Sequence, residues 1–133
     1  MASVIVLDAN VVIAHFAIGD AHAEAALDIL DTEEELAIHP VNLAETLVRP
    51  AGEGTEEQTR RRLDAIGIGQ LLPPVDEPLA VARLRVETRL GLPDCYPLAA
   101  ALHTGAILAT FDGRLATAAR ERGLDVLGVD GAS

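Results

Sequence analysis

The chain has 133 residues, half of them hydrophobic, and a formal charge of −11, which allows one compact domain with a core and leaves no room for a second. That acidity argues against a protein that grips nucleic acid through a general basic surface, although bound divalent cations or a local arginine group can serve within an acidic whole. Aromatic residues are 2% of the chain, so a base-stacking platform is not expected, and the core falls to Leu, Ile, Val and Ala, a mix suited to helices on a parallel sheet.

In chain order, Ser3-Val4-Ile5-Val6-Leu7 reads as a buried, β-branched strand ending at Asp8. A helix over Val11 to Ile18 and a second from about Ala21 to Leu30 follow. The polar run Asp31 to Glu35 is a solvated break before a strand at Leu36-Ala37-Ile38. A helix is predicted from Val41 to Val48, closed by Arg49-Pro50 because proline disfavours helix in the residue before it, and Ala51 to Gly54 reads as a loop. The next helix runs from about Thr55 to Ile66, with a third strand at Leu71-Leu72 before Pro73-Pro74.

Asp76-Glu77-Pro78 starts a long helix whose Leu79, Ala82, Val86 and Leu90 fall at three- and four-residue spacings, the stripe of a helix packed on a core. Gly91-Leu92-Pro93 ends it, and Asp94 opens a helix through His103. Ala106 to Ala109 is the fourth strand, Arg114 to Arg122 the last helix, and Val126-Leu127 a fifth strand. Strands alternating with helices imply βαβ crossovers, hence a three-layer α/β/α fold on a mainly parallel, roughly five-stranded sheet in a single domain over 1–133. The lone Cys95 excludes an internal disulfide. There is no charged-then-apolar leader, no apolar run of about 18 residues, and no space for a signal before the first strand, so a cytoplasmic protein without a membrane span is expected.

In parallel sheets ligands bind beyond the carboxyl ends of the strands, where strand order reverses. Asp8 follows the first strand, Asp112 the fourth, Glu45 lies in the helix after the second, and Asp94 leads into the fourth. Each aspartate singly is also an ordinary helix N-cap, and Asn42-Leu43-Ala44-Glu45 fits a capping box. Four caps need not converge, whereas a metal site must. Carboxylates brought together repel and raise one another's pKa, and Mg²⁺, a hard ion that takes oxygen ligands and keeps several waters, supplies the compensation.

Val6-Leu7-Asp8-Ala9-Asn10, Asn42-Leu43-Ala44-Glu45, Leu92-Pro93-Asp94 with Leu98 to Ala101, and Ala109-Thr110-Phe111-Asp112 together resemble a PIN domain, and more narrowly the VapC-type toxins of type II toxin–antitoxin pairs. The resemblance spans nearly the whole chain. It implies a metal-dependent ribonuclease in which Asp8, Glu45, Asp94 and Asp112 hold Mg²⁺ or Mn²⁺, while Asn10 and Thr110 match polar positions that orient ligands or water. It further implies RNA products with 5′-phosphate and 3′-hydroxyl ends, a homodimer and a cognate antitoxin. Some relatives carry a further acid soon after the fourth. Gly113-Arg114 stands there in this chain, which puts a fifth ligand in doubt. Asp94 is a candidate general base.

Arg114, next to Asp112, is placed to meet the scissile phosphate, or is a surface arginine. Arg60-Arg61-Arg62 read as a solvated helix surface, since successive positions are about 100° apart. The four histidines lack metal-ligand spacing and read as structural, with His39 the one near enough to the rim to touch substrate. The apolar helices between Ala9 and Leu30 and between Asn42 and Val48 can offer surface to another chain. Two alternatives stand beside the nuclease. One is a non-catalytic PIN-like module. The other is a receiver-type phosphorylation domain, which ordinarily needs a lysine that this chain lacks.

Overall fold

The computed structural model describes residues 3–130. In chain order it contains β1 (Val4–Leu7), α1 (Ala9–Phe16), α2 (Ala23–Leu30), β2 (Glu35–Ile38), α3 (Pro40–Glu53), α4 (Glu56–Ile66), β3 (Ile68–Gln70), α5 (Glu77–Thr88), α6 (Leu92–Thr104), β4 (Ile107–Ala109), α7 (Gly113–Glu121) and β5 (Val126–Leu127). The five strands form one sheet in the order β3-β2-β1-β4-β5, and every pairing is parallel.

Side chains alternate across a strand, and β1 feeds both layers accordingly. Ile5 and Leu7 join Val11, Val12, Ile29, Leu43 and Leu63 from α1 to α4. Val6 joins Val81, Leu84, Leu98 and Leu115 from α5 to α7. A strand covered on both faces has no polar side, which is why β1 reads as a continuous apolar run. The expected three-layer α/β/α architecture and parallel sheet are therefore what the chain adopts. No helix among the described residues is long and apolar enough to cross a membrane.

Three local expectations are corrected. First, α3 does not stop at Arg49 but continues through Pro50 to Glu53, where Gly54 closes it in the left-handed region at φ 74°. Proline in the last turn withholds one helical N–H, a cost that a well-capped terminus absorbs. Ala51 to Glu53 are thus helical rather than a loop. Second, the third strand is Ile68–Gln70 and not Leu71-Leu72. Gly67 turns the chain out of α4 at φ 96°, so that Ile68 at once pairs with Leu36, and Leu72 is left exposed. Third, the inward stripe of α5 is Glu77, Val81 and Leu84, whereas Leu79, Ala82 and Val86 face outward.

Glu77 is the cause of that reversal. It is buried against the equally buried His39, with His39 Nε2 2.8 Å from Glu77 Oε1. Val41 N–H donates to His39 Nδ1 at 3.0 Å, so the ring proton sits on Nε2 and is given to the carboxylate. With both nitrogens committed, His39 is a cap and a tether, the structural role expected of the histidines, and not the substrate contact that its place near the rim also allowed.

Candidate active site at the carboxyl edge of the sheet

β1 lies between β2 and β4. The chain winds outward from β1 through β2 to β3, then crosses to β4 and β5 on the other side. The crevice beyond the ends of β1 and β4 is therefore the switch point of the sheet, where parallel folds place their ligands. Asp8 ends β1, and Thr110 and Asp112 end β4. α3 brings Glu45 and the first turn of α6 brings Asp94 to the same crevice, as the mutual charge effects among these carboxylates show. Asp94 is the third residue of α6, whose cap is Gly91, so the helix begins two residues earlier than anticipated.

Asp8 is buried, at 4% exposure. Its Oδ1 accepts the N–H of Ala9 at 2.8 Å and its Oδ2 accepts the hydroxyl of Thr110 at 2.8 Å. Thr110 Oγ1 also accepts from Asp112 N at 3.0 Å and from Asn10 Nδ2 at 3.4 Å, which uses its one proton and both lone pairs. Asn10 Oδ1 accepts Phe111 N–H at 3.2 Å. These bonds tie the end of β1 to the end of β4. Gly128 lies over the same point at φ 104°, where any Cβ would overlap the Thr110 carbonyl.

Capping and convergence coexist. Asp112 caps α7 through Oδ1, which accepts from Arg114 N at 2.9 Å and Leu115 N at 3.4 Å. Asp94 caps nothing, and among the described residues no group donates to its carboxylate. The capping box is not formed, because His39 caps α3 and Asn42 lies inside the helix. Asn42 instead donates Nδ2 to Glu45 Oε1 at 2.8 Å and to Pro93 O at 3.2 Å.

Burial holds the Asp8 carboxyl up at about 6 from an ordinary 3.8, with the charges of Asp94 and Glu45 adding to it and the Thr110 and Ala9 hydrogen bonds opposing it. Burial likewise raises Asp94, reinforced by Asp112 and Glu45 and opposed by Arg114. Asp94 is thus the carboxylate on which the charges of Asp112, Glu45 and the exposed Arg114 act together, while Asp8 feels Asp94 and Glu45. Asn42 Oδ1, fully buried, has no donor among the described residues. An all-oxygen set short of positive charge fits a hard divalent cation. Among the described residues no three acidic, His or Cys side chains stand close enough to hold an ion by themselves.

The remaining candidates fall elsewhere. Arg62 lies over the Phe16 ring at 4.6 Å and Arg60 reaches Gln70 Oε1 at 3.4 Å, so this run packs against its own surface more than anticipated. Arg114 Nη2 donates to Arg89 O at 3.5 Å beside the site. Cys95 is fully buried. The position that sequence reasoning missed is Asn42 as a bridge; Thr110, expected as an orienting polar residue, is the hub that ties the ends of β1 and β4. The Asn-x-x-Glu spacing was visible, but its partner Pro93 lies 51 residues away.

A family model described as PIN domain matches residues 5–121. A solved toxin–antitoxin complex from Klebsiella pneumoniae contains a chain with 27% identity and a TM-score of 0.67, covering 80% of this chain and 85% of that one. VapBC-1 from nontypeable Haemophilus influenzae aligns at 18% identity and TM-score 0.68 over 92% of this chain and 96% of that one. FitAcB from Neisseria gonorrhoeae aligns at 21% identity and TM-score 0.66 over the same shares, 92% and 96%. At these lower identities the likeness is one of fold. No curated protein matches the chain by sequence.

Proposed function

We propose that this chain, which belongs to the PIN domain family, is a ribonuclease dependent on Mg²⁺ or Mn²⁺ and the toxin half of a toxin–antitoxin pair. The observation that carries the catalytic part is the gathering of acidic side chains at the switch point of the sheet, where Asp94 lies within the charge of Asp112 and Glu45 and Asp8 within that of Asp94 and Glu45. In this reading the four carboxylates hold the cation, directly or through its waters. When bound, the cation lowers the pKa of an attacking water and offsets charge on the phosphodiester during in-line displacement.

The residues of the chain divide the remaining work. Asp8, fixed by Ala9 and Thr110, is a rigid anchor with both oxygens oriented. Asp94 accepts no hydrogen bond from a described residue and its carboxyl is raised, which suits it to take the proton of the attacking water as general base. Arg114 is exposed next to Asp112 and neutralises the phosphate on its open side. The products in this reading carry 5′-phosphate and 3′-hydroxyl ends.

The toxin assignment rests on the likeness to the Klebsiella pneumoniae complex. It is supported by apolar side chains left exposed on α1, α2 and α3, Ile13, Leu27 and Val48, and on the turn after α1, Ile18, which suit a cognate antitoxin. The outward Leu79 and Val86 of α5 suit a homodimer. A cytoplasmic setting agrees with RNA as substrate. A second reading, a non-catalytic PIN-like module, is favoured by the absence of a closed ligand cage among the described residues.

Incubation of the purified protein with total tRNA and other structured RNA, in Mg²⁺, Mn²⁺ or EDTA, separates the two. The nuclease gives discrete cuts that EDTA, Asp8→Asn and Asp94→Asn each abolish. Intact RNA across a broad set, with folded protein that still binds Mn²⁺, leaves the module.

A further inference from the structure

We infer that Asn42 is a positioning residue: it sets the carboxylate of Glu45 and the start of the helix bearing Asp94 relative to each other, and so fixes the spacing on which cation affinity depends. The inference rests on the proposed function, since it concerns the same carboxylates.

α6 contains Pro97. A proline has no N–H to return to the carbonyl four residues back, and that carbonyl belongs to Pro93, immediately before Asp94. Asn42 Nδ2 fills the gap at 3.2 Å, and its other proton goes to Glu45 Oε1 at 2.8 Å. Both partners are acceptors, so the orientation of the amide is fixed: turning it over would set Oδ1 against two oxygens. Asn42 is fully buried, and its backbone is held in the helix, where Thr46 Oγ1 donates to the Asn42 main-chain carbonyl at 2.9 Å.

One rigid amide thereby joins two carboxylate-bearing helices, α3 and α6, that otherwise approach the crevice from different sides of the sheet. Its remaining atom, Oδ1, is a buried acceptor without a donor among the described residues. Such an atom carries a desolvation cost that the two Nδ2 hydrogen bonds do not offset.

The two roles separate experimentally because Pro97→Ala restores a helical N–H to Pro93 O. Mn²⁺ dissociation constants, read from free Mn²⁺ by electron paramagnetic resonance, and urea unfolding are measured for wild type, Asn42→Ala, Pro97→Ala and the double variant. Outer-shell groups that orient metal ligands are worth roughly 10–100-fold in affinity. Asn42→Ala is expected to weaken Mn²⁺ binding by about tenfold, at the lower end of that range. The double variant regains stability relative to Asn42→Ala but not affinity, and this arm stays readable if Asn42→Ala alone folds poorly. Mn²⁺ affinity unchanged in Asn42→Ala, or recovered together with stability in the double variant, overturns the positioning role. Failure of the wild type to bind Mn²⁺ overturns the proposed function itself and this inference with it.

Discussion

Two buried acids lie at the carboxyl edge of this sheet, and they are treated differently. Glu77 meets His39 at 2.8 Å, and the other ring nitrogen of His39 is occupied by Val41 N–H, so the pair is closed and self-sufficient. Asp8 is buried to a similar degree but meets two hydrogen-bond donors and no cation, while Asp94 and Glu45 add negative charge around it. A buried charge is tolerated when paired and costly when it is not. The first arrangement docks a helix. The second leaves a charge deficit at the switch point of the sheet, which in the proposed function a divalent cation would fill.

If that contrast is right, the largest response to a single substitution is in activity at the open site. Asp94→Asn keeps the shape and removes the base, and should lower single-turnover RNA cleavage by roughly 10²–10⁴ with little change in unfolding. Equal loss of activity and of stability would mean that Asp94 is structural.

At the closed pair the response is in stability. Glu77→Ala strands the buried His39 Nε2–H and should cost about 2 kcal/mol in urea unfolding, whereas Glu77→Gln keeps an acceptor and should cost less than about 1 kcal/mol. Cleavage per folded molecule should be unchanged in both. Loss of activity in Glu77→Gln would bring the pair into the site.

Asp8 sharpens the comparison through pH. Its folded carboxyl titrates at about 6 against 3.8 ordinarily, so the unfolded chain releases the proton first as pH rises. Stability is fully present below 3.8, falls between there and about 6, and stays lowered above, by on the order of 3 kcal/mol in the metal-free protein. Asp8→Asn should remove most of that slope. At pH 8 it should be the more stable protein by about 1–2 kcal/mol, because the amide keeps the Ala9 bond but leaves the Thr110 hydroxyl proton without its acceptor. A metal-free Asp8→Asn that is less stable than wild type at pH 8 would contradict the open-site account.

The smallest effect is expected on the outer face of α5. Val86 is 78% exposed, and Val86→Ser should change monomer stability by no more than about 0.5 kcal/mol. Leu84→Ala, on the inner face, should cost about 2–4 kcal/mol.

That helix also shows where sequence reading runs out. Leu79, Ala82, Val86 and Leu90 have the spacing of a core stripe, and Val81 with Leu84 form a shorter one whose next position, Glu77, is charged. Only the partner His39, 38 residues away, turns a charged position inward, and no periodicity carries that information. Likewise the bridge from Asn42 to Pro93 spans 51 residues. By contrast β1, β4 and the acids that end them were legible, because a strand buried on both faces is an unbroken apolar run and the residue after it lies on the rim. Pro50 was misread as a stop since a local rule ignores how little a last turn loses.

The most direct test of the central claim is urea unfolding of wild type and Asp8→Asn with and without Mg²⁺, at pH 5 and pH 8. A ligand at 100 times its dissociation constant stabilises by about 2.7 kcal/mol. The open, cation-requiring cluster predicts a gain of that order for wild type at pH 8, a clearly smaller gain at pH 5 where Asp8 holds its proton, and little gain for Asp8→Asn at either pH. A gain that is absent, or equal in both proteins, would contradict it.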